Sequence, residues 1–269
     1  TCEHTDVPGD KIEEIASEKA AIARPDKPII IRDMKSLKFR NAVLYEVENA
    51  GNVNLNEQKL PALPTFVEIS DNISTREEAL ILADEVLQSI DLPNKMLKKA
   101  NAMLIWPARL QQFTHDLNSY LLDAAHNPSG LARIIPELKD IIKTSAPKVD
   151  GELRWTLIFG TSPQKELNKM IDLIFDLCNG IEPNKICLTK PQGGRYPGVE
   201  LNVLREYNWP TDNVFEFEEV QSTIQFIQSN DVLQNGLIVS LGSLYLQGNI
   251  LQNLKLDSDE QLSLLPKQS

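Results

Sequence analysis

The sequence predicts an α/β protein built on a mostly parallel sheet, and two observations carry that reading. Short apolar runs at 119–122, 153–159, 185–189, 214–218 and 236–241 alternate with helical stretches near 128–143, 163–178, 200–207, 219–229 and 244–255. Strand followed by helix, five times over, is the pattern of parallel strands whose crossover helices cover both faces of the sheet. The second observation is length: 269 residues are more than one ordinary core needs and suit two unequal domains. We place the boundary near residue 102, giving domains of 1–102 and 103–269.

Asp10 is placed to cap a helix, with Glu13 three residues on and apolar positions at Ile12, Ile15, Ala16, Ile22 and Ala23. Lys19 falls on the same stripe, where a lysine must snorkel, pair with an acid or do chemistry. Pro25 and Pro28 end that helix, and PIIIRD reads as a buried strand. Residues 35–75 are rich in Asn and Pro (GNVNLNEQKLPALP) and read as loops or edge strands. Ser74 then caps a helix, Glu77 completes its capping box, and Leu80, Ala83, Leu87 and Ile90 form its stripe. DLPNK ends it, and the piece through Ala102 reads as a linker.

In the second half, the helix opening at Pro128 has the clearest stripe: Leu131, Ile134, Ile135, Leu138, Ile141 and Ile142, with Pro136 placed to bend it. Just ahead of it lies YLLDAAHNPSG, residues 120–130. Asp123, His126 and Asn127 thus fall where a strand ends and its helix begins, the edge at which open α/β sheets hold ligands. Position alone leaves two readings: a ligand site, or a turn capped by Asp123 beside a surface histidine.

Composition excludes several classes. A charge of −11 opposes general affinity for phosphate backbones, so no nucleic-acid partner is expected. No apolar run approaches the roughly 18 residues of a membrane-spanning helix, so no membrane partner is expected either. Cys2, Cys178 and Cys187 lack metal-site spacing and are too few for a disulfide framework, which makes them buried or idle thiols of a reducing compartment. The chain starts at Thr1 without a signal-peptide pattern, and its first ten residues are already dense in motif-like side chains, as in a segment cut from something longer. There is no G-x-x-x-x-G-K-[ST], no G-x-G-x-x-G after a strand, no H-x-x-x-H or C-x-x-C, and no G-x-S-x-G.

Four separated clusters stand out: EHTDVPGDKIEEIASEKAAI at the N-terminus, WPARLQ at 106–111, LLDAAHNPSG at 121–130 and LGSLYLQGNIL at 241–251. In this order they resemble the D-H-T-x-x-L-G-x-T-x-x-x-I-A-x-E-K-A-G-I, W-P-G-R, L-D-G-A-H-N and G-S-L-Y-L-x-G segments of the folylpolyglutamate and dihydrofolate synthases of the Mur ligase superfamily. The resemblance implies the back part of a P-loop-type ATPase domain followed by a Rossmann-like C-terminal domain, with ATP held in the cleft between them. It implies an ATP-dependent ligase that joins L-glutamate to a folate or dihydropteroate carboxylate through an acyl phosphate. It implies Mg2+ as well as ATP, and a monomer working in the cytoplasm or mitochondrion.

Residue by residue, the resemblance makes His4 a metal ligand and Lys19 a carbamate-bearing lysine that is both catalytic and a metal ligand. Arg109 and Asp123 become nucleotide contacts, and His126 stands by the phosphates. Desolvation of Lys19 on its apolar stripe would favour the neutral amine that captures carbon dioxide. Trp106 is expected to be structural, and Gly242 and Ser243 to serve the passage from the last strand into the last helix. The chain departs from the family pattern at Ala21, Ala108 and Ala124, where the family has glycine, and it lacks the P-loop. Any of the three that needed a positive φ would be strained by its methyl group. The rival reading is a non-catalytic descendant that keeps the fold as a nucleotide-binding or regulatory module.

Overall fold

The computed structural model describes residues 11–25, 27–52, 63–229, 236–258 and 261–262. The chain divides into two compact units, Thr1–Met103 and Leu104–Ser269.

Unit 1 is built on two parallel strands, β1 (Pro28–Arg32) and β2 (Leu63–Val67), in register from Pro28 opposite Leu63 to Arg32 opposite Val67. Its helices are α1 (Ile12–Ala20), α2 (Leu37–Asn52), α3 (Thr75–Ser89) and α4 (Leu97–Met103). Side chains of a strand alternate between faces. Ile29 and Ile31 therefore pack with Ala16, Ala20, Val43 and Val47 of α1 and α2, while Arg32 turns to α3 and pairs with Glu78 at 2.7 Å. The core is small, and most of its buried residues are alanine or valine.

Several expectations for this half are corrected. Lys11, with no capping side chain, precedes α1, and Asp10 lies outside the described residues. Ile22 falls beyond the end of the helix and is 70% exposed. The strand PIIIR is half-buried rather than buried, because β2 is its one strand partner among the described residues. Residues 37–52 form a helix where loops were expected, and the expected linker contains α4. The Ser74–Glu77 capping box is present in full, with the Ser74 oxygen accepting the Glu77 N–H at 3.1 Å.

Between β1 and α2 the chain is held by a buried carboxylate. Asp33 accepts the Lys35 N–H and the Arg40 Nε–H, each at 3.0 Å, and pairs with the Arg40 guanidinium. The hydrogen bond from Arg40 is the main reason that the Asp33 carboxyl is held below its ordinary range. A depressed carboxylate stabilises the fold above its unfolded pKa, and that contribution is lost as pH falls through the folded value. We expect thermal melts to show stability falling below about pH 4, and Asp33→Asn to start lower at neutral pH and fall less steeply on acidification.

Unit 2 carries a six-stranded sheet: β3 (Gln111–His115), β4 (Asn118–Leu122), β7 (Trp155–Phe159), β8 (Lys185–Thr189), β9 (Val214–Phe217) and β10 (Leu237–Leu241), with the two-residue strands β5 (Lys148–Val149) and β6 (Glu152–Leu153) forming a separate hairpin. The strand order is β3-β4-β10-β7-β8-β9, parallel throughout except for β3, which runs antiparallel to β4 at the edge. The helices α5 (Pro128–Ser145), α6 (Leu167–Cys178), α7 (Leu201–Arg205), α8 (Val220–Ser229) and α9 (Leu244–Asn253) follow the strands. One apolar cluster joins Leu121, Leu157, Leu188 and Val239 to α5 and α6; the other joins Tyr120, Ile158, Cys187 and Ile238 to α8 and α9. Successive strand residues thus enter opposite layers, which is why these runs are mostly apolar rather than alternating. α5 continues through Pro136, and Cys178 and Cys187 are buried free thiols, burial pushing each up to about 12.

Candidate functional site

The parallel strands end together, and their carboxyl ends are closely packed. Gly242 has φ +110, and a Cβ there would lie 2.6 Å from the Gly160 carbonyl oxygen. Ser243 then caps α9 by accepting the Tyr245 N–H at 3.2 Å. Both residues serve the strand-to-helix passage, as expected from the sequence.

At the end of β4, Asp123 is 3% exposed. Its Oδ1 accepts the Ala125 N–H at 2.8 Å and its Oδ2 the Leu110 N–H at 2.9 Å. Burial raises its pKa, opposed by those two N–H groups and by the charge of Arg109. His126 is exposed, with Nδ1 2.9 Å from the Ala124 carbonyl oxygen. An Nδ1–H donating to that oxygen leaves Nε2 as an acceptor facing outward. Asn127 caps α5, its Oδ1 accepting the Gly130 N–H at 2.7 Å.

Arg109 comes from the turn that leads into β3. It is exposed, and its guanidinium makes no hydrogen bond or ion pair among the described residues. The turn closes with the Arg109 N–H on the Trp106 carbonyl oxygen at 3.2 Å. Pro107 at its second position and a left-handed residue at its third make the type II pattern, whose third position favours glycine. That third residue is Ala108, at φ +54, and Leu110 follows at φ +45. Of the three glycine-to-alanine departures, Ala108 is thus the one that falls in the left-handed region; Ala21 has φ −61, and Ala124 is not among the positive-φ residues. Trp106, expected to be structural, is 43% exposed. Sequence reasoning missed Gln111, whose side chain accepts the Ala108 N–H at 2.9 Å. Its polar neighbours in QQFTH gave no apolar signal.

In unit 1, Lys19 lies in the last turn of α1 and is exposed, which removes the desolvation expected from its place on the stripe. It lines a cavity of about 390 Å³ together with Ile12, Ile15, Ile29, Ile31 and Phe39. His4 lies outside the described residues. Among the described residues no three His, Cys, Asp or Glu side chains gather as a metal site. Lys19 alone does not make the octahedral oxygen set that Mg2+ demands.

A mostly parallel sheet with Asp123, His126 and Arg109 at the carboxyl edge of its strands defines the class: an open α/β fold, of the kind that holds ligands at that edge. The relatives that share it are synthases. The dihydrofolate synthase/folylpolyglutamate synthase of Bacillus subtilis (strain 168) is 24% identical over 280 residues, covering 94% of this chain and 60% of the relative. FolC of E. coli in complex with DHPP and ADP superposes with a TM-score of 0.67 at 16% identity, over 95% of this chain and 59% of that one. The bifunctional folylpolyglutamate synthase/dihydrofolate synthase of Yersinia pestis complexed with AMPPNP and Mn ion gives 0.64 at 19% identity, over 95% and 60%. No family model matches. The resemblance read from the four clusters is borne out by these relatives, and the chain shares their fold. It spans about 60% of the length of the curated relative it matches.

Proposed function

We propose that the chain is part of an ATP-dependent ligase that joins L-glutamate to the carboxylate of a folate or dihydropteroate through an acyl phosphate. Unit 2 is its C-terminal nucleotide-contacting domain, and residues up to about 102 are the back part of its ATPase domain. The reading is supported by Arg109, an exposed guanidinium that makes no direct ion pair among the described residues, in a chain of charge −11. It sits beside Asp123 and His126 at the edge where such sheets hold ligands. A planar fork of N–H donors suits phosphate oxygens. Neighbours with bound ADP, and with Mn, AMPPNP and L-glutamate, add support.

On this reading Arg109 grips phosphate, His126 presents Nε2 towards the same edge, and Asp123 orders the backbone between them and can accept a ribose hydroxyl. Mg2+, when bound, would neutralise charge on the transferring phosphoryl group, and Lys19 as its carbamate, with His4, is proposed to hold it. The test is titration of ADP with Mg2+ into the protein. Arg109→Ala is expected to weaken ADP binding about tenfold or more, the weight of a charge-assisted contact, and unchanged affinity overturns the site. ADP binding without any glutamate ligation, once the remaining length of the relatives is supplied, would instead favour a binding module.

A further inference from the structure

The turn that carries Arg109 has two left-handed residues and is tied down by hydrogen bonds from its own end of β3 and from the end of β4. Ala108 and Leu110, on either side of Arg109, both have left-handed φ values of +54 and +45. Residues with a Cβ persist there only where the surroundings over-determine the backbone, and such positions gather at ligand clamps. Here the surroundings include the core contact of Leu110 and four hydrogen bonds. The Ala108 N–H donates to the Gln111 side chain at 2.9 Å, and the Ala108 carbonyl accepts the Ala124 N–H at 2.9 Å. The Leu110 N–H donates to Asp123 at 2.9 Å, and the Arg109 N–H closes the turn on Trp106. The backbone is fixed on both sides of Arg109, and its exposed guanidinium is the part left to meet a ligand.

Two of those four bonds come from side chains. Asp123 already has a proposed role at the nucleotide; Gln111 has none. Gln111 opens β3 and pairs with Leu122, the residue before Asp123. The two side chains therefore reach the turn from neighbouring strands. We infer that Gln111 is a positioning residue which, by accepting the Ala108 N–H, holds the strained turn in the conformation that aims Arg109 at a phosphate-bearing ligand.

This rests on the proposed nucleotide reading, and the experiment separates the two. ADP and adenosine affinities are measured for the protein and for Gln111→Ala, Gln111→Glu and Gln111→Ala combined with Ala108→Gly. Amide exchange is followed at residues 108–110. Gln111→Ala is expected to weaken ADP binding about five- to tenfold, the equilibrium weight of one hydrogen bond, to leave adenosine binding unchanged, and to raise exchange across the turn. Glutamate at 111 keeps an acceptor and should restore ADP binding. Glycine at 108 should also restore it, because glycine adopts a positive φ without a tether. Unchanged exchange in Gln111→Ala overturns the positioning role whatever the ligand does. An equal loss for adenosine, or no rescue by either substitution, does so too. Failure of the unaltered protein to bind ADP while exchange responds as expected would instead overturn the nucleotide reading.

Discussion

Replacing Gly160 by alanine is expected to unfold most of unit 2 at temperatures where the native protein is intact. A Cβ at Gly160 would lie 2.1 Å from the Thr189 carbonyl oxygen and 3.1 Å from its carbon, with Pro191 Cδ at 3.2 Å. The first two atoms are backbone, at the end of β8, so no side-chain rotation relieves the clash. The strands β7 and β8 would have to separate at their carboxyl ends, where Gly160 also packs under Gly242. Overpacking in a well-filled core costs about 1–3 kcal/mol and sometimes more, and a backbone clash in a central strand pair belongs at or above the top of that range. The same substitution at Gly248 should act in the opposite direction. Gly248 is exposed within α9, and a Cβ there meets nothing within 4 Å, so Gly248→Ala should stabilise by about 0.5–1 kcal/mol through helix propensity. Denaturant unfolding of the two variants checks both signs. A Gly160→Ala midpoint equal to the native one would mean that the strand ends are not packed as described.

That contrast marks what the sequence could reveal. The interior parallel strands were legible because they are largely buried on both faces, so apolar runs and strands coincide: 185–189 is both the run and β8. The edge strand β3 was invisible because Gln111, Gln112 and Thr114 are polar and its partner β4 lies on one side alone. Helix α2 was readable in principle, with Phe39, Val43 and Val47 at helical spacing, but the Asn- and Pro-rich signals after it suggested loops throughout. The site divides in the same way. That Asp123 ends a strand followed from local pattern. That its carboxylate takes an N–H from Leu110, thirteen residues earlier, follows only from the antiparallel return of β3. Ala108 could be flagged as an alanine where the resembled pattern has glycine, but which of three such alanines needed a left-handed backbone is a property of one turn.

The second large effect is expected at Asp123, and its dependence on pH runs against habit. Asp123→Ala leaves the Leu110 and Ala125 N–H groups without their acceptor in a buried setting. Losing such partners costs about 1–3 kcal/mol per group, so a loss near 2 kcal/mol at pH 7 is expected after the relief of no longer burying a charge. The Asp123 carboxyl is raised above its ordinary range, chiefly by burial. The folded chain therefore keeps a proton that the unfolded chain has already released, and stability falls with pH across that window. The contribution of Asp123 is fully present below the unfolded value of about 4 and is reduced as pH rises through the folded one. The difference in unfolding free energy between the native protein and Asp123→Ala should accordingly be larger at pH 4 than at pH 7, the reverse of an aspartate held by a salt bridge such as Asp33. Denaturant titrations of both proteins at the two pH values decide it. A difference that grows towards neutral pH would show that the two backbone N–H groups and Arg109 outweigh burial, and that Asp123 stands in the fold as a charge held by its partners.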